Sequence, residues 1–359
     1  CCYTFLRSDG ELKRTPLRWM NENVCLKADL KDLSAQILSA SYVGRILLFS
    51  LIFTILQTFL ELARISQVLI LSVLSIWVAG LSLALVLSLI LSQLPFAGSI
   101  RIAIAWLALF IIQQFSNLVE GLFFTTFLPT ISLFLWANLI GLLVTLVEAL
   151  LAGILFVPES SGRSFRNEIA SYFEQRPWLS WTARIVVASL VYFPIYFSFG
   201  AAISPFVIPY YTNSSLGLRI PSFSVMVPLE FARGFLYVIA LLPIIAVLKV
   251  RRRFVYAGTA SLLYVAGAFV PFLAGPSLPV QLRIFHGLEI LGDCLVYGAA
   301  LVYLLASPKL MARDARAVLI LLQSGAHAKK LVPYPSPPCA RIICSFPLAT
   351  YRSKFSLTD

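Results

Sequence analysis

"QVLILSVLSIWVAGLSLALVLSLILS", residues 67–92, holds no charged side chain from end to end. Crossing about 30 Å of hydrocarbon takes about 20 apolar helical residues, so this stretch reads as a transmembrane helix and not as the buried helix of a soluble core. Working outward, further runs of spanning length occupy 43–62, 102–125, 130–156, 182–203, 226–248, 254–274 and 284–306. Pro95 and Gly98 separate the second and third runs, Pro129 the third and fourth, and AGPSLP (274–279) the seventh and eighth. Only ELARIS (61–66) divides the first from the second, so a merged first pair is the error this pattern most invites. The expected fold class is all-α: a polytopic integral membrane bundle of about eight transmembrane helices, with 43–306 as one membrane domain.

Composition agrees. Of the 359 residues 59% are hydrophobic and 12% charged, and the mean hydropathy is +0.88. Soluble domains carry about a quarter charged residues. The formal charge of +12 does not point to nucleic acid, because the Lys and Arg residues flank apolar runs, as cytoplasmic loops beside anionic lipid do. Eight crossings put Lys27, Lys31, Arg45, Arg101, Arg163, Arg166, Arg176, Arg184, the KVRRR turn (249–253), Lys309, Arg313 and Arg316 on one side. The other side keeps little beyond Arg64, Arg219 and Arg283, so both termini are expected in the cytoplasm and the protein in a prokaryotic inner membrane. Six cysteines and two histidines show no CxxC pair and no metal-ligand spacing, so neither a metal nor a cofactor is expected.

Outside the spans, residues 1–42 form an expected cytoplasmic segment. Met20 opens MNENVCLKADLKD, which reads as a natural start, so residues 1–19 are expected to be upstream translation or a fragment's ragged end and not native. No cleaved signal peptide is visible, so the first helix is expected to direct insertion. Within the cytoplasmic loop 157–181, Phe165, Ile169, Tyr172 and Phe173 fall on one helical face and Arg166, Asn167, Glu168 and Glu174 on the other. That is the pattern of an interfacial helix, with Trp178 and Trp181 expected as headgroup anchors. An outer loop is expected at 204–225, carrying the sequon Asn213-Ser214-Ser215, and 307–359 reads as a partly disordered cytoplasmic tail. No internal repeat marks an inverted-repeat transporter.

The polar residues inside the spans are few and patterned. RIFHGLEILGD (283–293) opens the eighth helix, and His286, Glu289 and Asp293 fall within about 60° of one another at 100° per residue. Gln113, Asn117 and Glu120 form a matching stripe on the third helix, and Glu230, Arg233 and Tyr237 on the sixth. The alternating topology puts Glu120, Glu230, Arg233, His286 and Glu289 in the outer half of the membrane, with Arg283 at the rim. On the fourth helix Asn138, Gly141 and Glu148 descend toward the cytoplasmic side, so Asn138 and Glu148 make an inner polar station. Four acids (Glu120, Glu230, Glu289, Asp293) face two arginines (Arg233, Arg283), so at least one carboxyl is expected to hold a proton near neutral pH.

Three functions fit these features. One is transport of a small polar or cationic solute with proton coupling. A second is an intramembrane enzyme acting on a lipid or lipid-linked substrate, although the helices lack a GxSG serine, an HExxH or a paired-aspartate motif. The third is a membrane scaffold or sensor with a structural ion-pair core. Membrane lipids are the expected partners together with the solute or lipid substrate; nucleic acid is not. For topology, the expected outcome is that a thiol introduced at Ser215 reacts with an impermeant reagent only from outside the cell. Labelling from the cytoplasmic side alone would overturn the orientation.

Overall fold

A computed structural model describes residues 3–8, 11–16, 40–64, 70–128, 130–158, 162–213, 216–274 and 278–308. Met20, the second and third residues of the sequon, and the tail beyond 308 lie outside the described residues. Strands β1 (Tyr3–Ser8) and β2 (Glu11–Pro16) pair antiparallel, with Ser8 opposite Glu11. The sequence reading did not foresee this hairpin, yet the intervening Asp9-Gly10 is a favoured two-residue hairpin dipeptide.

The membrane domain is helical throughout. Its elements are α1 (Ala40–Arg64), α2 (Ile70–Leu91), α3 (Gly98–Phe124), α4 (Ile131–Leu155), α5 (Phe165–Phe173), α6 (Trp178–Tyr211), α7 (Phe223–Val247), α8 (Arg252–Ala274) and α9 (Val280–Leu305). All but α5 are long and apolar enough to cross a membrane. α1 and α2 are separate helices, as expected, although Glu61–Arg64 of ELARIS still belong to α1. α3 and α8 each contain a π-helical segment, Phe110–Phe115 and Val265–Phe269.

One boundary departs from expectation. The segment assigned to an outer loop from 204 stays helical to Tyr211, with Pro205 and Pro209 inside α6. Proline removes one hydrogen bond per residue, a loss membrane helices tolerate when neighbours and hydroxyl side chains engage the freed groups. At 34 residues α6 is about 51 Å long, more than the hydrocarbon needs. Its last turns rest on α9: Phe206 stacks on Phe285 at 4.7 Å, and the Tyr210 hydroxyl donates to Gln281 at 2.7 Å.

Contacts between loops sort the ends of the helices into two faces. On one face Arg45 donates to Leu155 O, Arg101 to Phe96 O and Gly153 O, and Lys249 pairs with Glu168. On the other Thr126 N donates to Gly217 O, and Arg219 donates to Leu122 O and Phe123 O. The first face is the one the Lys/Arg bias assigns to the cytoplasm.

There, α5 lies against the bundle as its apolar stripe requires, with Ser164 accepting from Asn167 N as N-cap. Phe165 meets Phe96 edge-on, and buried Tyr172 donates to Leu305 O. Arg176 donates to Leu304 O and Ala306 O, and Arg184 to Leu304 O. Three side chains thus satisfy the orphan carbonyls that end α9, where the helix dipole also favours cations. Burial, outweighing Arg176 and Arg184, pushes the Tyr172 hydroxyl up, so it remains a donor. Trp178 is exposed, as an interfacial anchor should be, but Trp181 is not. Its ring is buried between Tyr172 and the Arg176 guanidinium, and its Nε1 donates to Phe173 O, because α5 folds back over the start of α6.

Close helix approach depends on small residues, above all Gly234 of α7: a Cβ there would sit 2.2 Å from Ser189 O of α6. Gly234→Ala is expected to destabilise the protein by about 1–3 kcal/mol through overpacking. Gly258→Ala, whose nearest neighbour is 3.5 Å away, is expected to be nearly neutral. Thermal unfolding in detergent checks the pair.

Candidate functional site

The segment LEFARGFLY of α7 builds the centre of the site. Positions 230, 233 and 237 recur at helical spacing, so their side chains leave one face together. Arg233 Nη1 donates to Glu230 Oε2 at 2.9 Å and to Oε1 at 3.1 Å, and Nη2 donates to the Tyr237 hydroxyl at 3.1 Å. From α3, Glu120 Oε2 meets Nη2 at 2.7 Å. Arg233 is 4% exposed and Glu230 is fully buried, whereas the Glu120 side chain is 30% exposed, so the cluster approaches the surface at Glu120.

Around the guanidinium stand the rings of Tyr192, Tyr196 and Tyr237, each with its centroid 5.7–5.9 Å from Cζ. They add cation–π attraction where water is scarce. Tyr297 of α9 packs 4.9 Å from Tyr192 and donates to Gly234 O. Of these aromatic residues the sequence stripe named only Tyr237. Tyr192 and Tyr196 are four apart on α6, and Tyr297 lies four beyond Asp293, so the spacing held the signal.

Beside the ion pairs lies a cavity of about 30 Å³, lined by Asn117, Glu120, Tyr196, Arg233, Asp293 and Cys294 among others. Such a volume holds one or two waters. Asp293 is 2% exposed, and its Oδ1 has no hydrogen-bond partner among the described residues. One turn away Glu289 Oε2 lies 2.7 Å from His286 Nδ1, while His286 Nε2 lies 3.2 Å from the Tyr211 hydroxyl. His286, Glu289 and Asp293 share the inward face of α9, with Ile284 and Leu288 exposed opposite.

Thus Asn117, Glu120, Glu230, Arg233, Tyr237 and Asp293 come together at or beside one cavity, with His286 and Glu289 adjoining. Four expected members are placed differently. Arg283 donates to Phe272 O, closing the end of α8 instead of forming the site's rim. Glu289 pairs with His286 and not with Arg233, whose Nη atoms are taken by nearer carboxylates. Gln113 turns away to Glu148, because the π-helical segment adds residues per turn and rotates it out of line with Asn117 and Glu120. Asn138 donates to Phe134 O of its own helix and stands about 15 Å along α4 from Glu148, so the two do not form one station.

Asn117 joins the two π-helical segments: its Nδ2 donates to Gln113 O at 2.9 Å and to Gly267 O at 3.0 Å. Segments of this kind leave backbone carbonyls without their regular partner and recur at functional sites. Among the described residues no three His, Cys, Asp or Glu side chains are arranged to hold a metal ion. Comparison of the chain with protein-family models, curated proteins and solved structures gives no match.

Removing one partner of a buried ion pair strands the other, at about 3–5 kcal/mol. Arg233→Ala is therefore expected to lower stability by that order, and Arg219→Ala, which loses only exposed contacts to backbone carbonyls, by less than about 1 kcal/mol. Equal unfolding temperatures for the two variants would contradict the arrangement.

Proposed function

We propose that this multi-pass membrane protein transports a small polar or cationic solute, with a proton exchanged at the Arg233 cavity. The observation that carries the proposal is Asp293: a buried carboxyl facing a water-sized cavity, with no cation of its own and one unpartnered oxygen among the described residues. Arg233 cannot neutralise it fully, since Glu120 and Glu230 already claim the guanidinium. Ionisable residues placed this way in membranes pair, carry protons or line a hydrated path. The tyrosine faces and Asp293 together suit a small cation.

Two other readings have their own support. The Glu289–His286–Tyr211 chain has the form of a carboxylate orienting an imidazole, as general-base chemistry uses. A cavity of about 30 Å³ is nevertheless roughly a tenth of the smallest usual organic-ligand site, which weighs against a lipid substrate bound there. The double pairing of Arg233 supports a structural clamp that fixes helix register.

Proteoliposomes holding a trapped pH dye separate transport from the clamp. On imposing gradients of ammonium, alkylammonium or alkali cations, wild-type protein is expected to move protons for at least one of them, and Asp293→Asn to abolish the signal. Fluxes no greater than those of empty vesicles, or unchanged in Asp293→Asn, would leave the clamp as the function of the cluster.

A further inference from the structure

A second carboxyl is buried at membrane depth outside the Arg233 cluster. Glu148 of α4 is 2% exposed. Gln57 Nε2 of α1 donates to its Oε1 at 3.1 Å, and Gln113 Nε2 of α3 donates to its Oε2 at the same distance. Side chains on antiparallel helices lean toward their own N-termini, so Glu148 reaches toward one membrane face and the two glutamines toward the other, and they meet between.

On α3, and at Arg45 of α1, the charged groups around Glu148 are engaged elsewhere. By sequence, α2 carries none and α4 carries only Glu148. On α3, Arg101 donates to Phe96 O and Gly153 O, and Glu120 pairs with Arg233. On α1, Arg45 donates to Leu155 O and Tyr42 packs on Phe156; Glu61, one turn from Gln57, is itself an acid, and the Arg64 side chain lies outside the described residues. Two carboxamides are thus the partners the fold gives this carboxyl.

That choice of partner has a chemical meaning. A guanidinium donates only, and so holds a carboxyl as its anion. A carboxamide donates to the anion through its NH2 and, turned over, accepts from the neutral acid through its oxygen. Gln113 Oε1 is buried and has no hydrogen-bond partner among the described residues, so an unused acceptor stands on the same carboxamide that holds the carboxyl. Gln113 is also the residue whose carbonyl Asn117 holds, and the Asn117 side chain lines the Arg233 cavity.

We infer that Glu148 is a second intramembrane proton site, cradled by Gln57 and Gln113 in either of its protonation states and joined to the Arg233 cavity through Asn117. The proton site stands on the cradle alone; its place on one path with the cavity rests on the transport reading.

Dicyclohexylcarbodiimide, which attaches to protonated carboxyls in apolar surroundings, tests it on the purified full-length protein with peptide mass spectrometry. Label is expected on Glu148, lost as pH is raised and absent from Glu148→Gln. Gln113→Leu, which leaves Glu148 in place, is expected to move the pH at which label disappears, as a purely structural contact would not. Infrared difference spectra are expected to show a protonated carboxyl band that Glu148→Gln removes. Absence of both label and band between pH 5 and pH 9 (roughly the range that buried carboxyls cover) would overturn the inference. Label on Glu148 without Asp293-dependent flux would keep the proton site and sink the transport reading. Flux without label or band would do the reverse.

Discussion

A guanidinium 4% exposed inside a bundle of apolar helices is the constraint on which the rest of this structure turns. Its charge cannot be shed, and in a low-dielectric interior it is tolerable only with opposite charge in contact. Glu230 comes from its own helix, one turn back, and so is available locally. Glu120 comes from α3, and its arrival ties α3 to α7 at one depth and one rotation. The tyrosines extend the tie to α6 and α9: Tyr192 and Tyr196 face the guanidinium, and Tyr297 bonds the backbone beside it. Gly234 completes the arrangement by letting α6 approach where any side chain would collide with Ser189 O.

The same logic runs at the other end of α9. Its last carbonyls fall at a membrane face, and Tyr172 of α5, Arg176 of the α5–α6 turn and Arg184 of α6 converge on them. This explains why an amphipathic segment that sequence reasoning treated as a lipid anchor is packed into the protein along one edge. Trp181 is buried for that reason, while Trp178, one turn earlier, remains exposed. α9 is therefore held beside Arg233 by the Tyr297 hydrogen bond to Gly234 O, and at its end by side chains that engage its last carbonyls.

Between these two regions the carboxyls divide by partner. Glu120 and Glu230 have Arg233, Glu289 has His286, Glu148 has two amides, and Asp293 leaves an oxygen unpartnered. The series runs from carboxyls paired with a guanidinium to one with an open oxygen, and only the former can fix helix register through charge. The two π-helical segments meet at Asn117, whose Nδ2 donates to both backbones.

Hydrophobic length decided the fold class from the sequence alone, because nothing but a continuous apolar helix satisfies its own backbone in lipid. Helical periodicity likewise identified the stripes that bear Glu120, Arg233, Glu289 and Asp293, since side chains three and four apart leave one face whatever surrounds them. Partnership was a different matter. Gln113 belonged to the stripe by arithmetic, yet a π-helical segment rotated it to Glu148, and no local pattern in FIIQQF announces the extra residue per turn. Gln57 reaches Glu148 only because α1 and α4 pack side by side, which no stripe on α1 signals. The apolar run through Pro205 and Pro209 read as a loop because proline ends isolated helices, and only contacts with α9 show what supports it. The sequence thus determined what must be buried in the membrane and on which helix face. The tertiary structure alone decided which charges meet, because ion pairing depends on distances of a few ångströms between helices far apart in the chain.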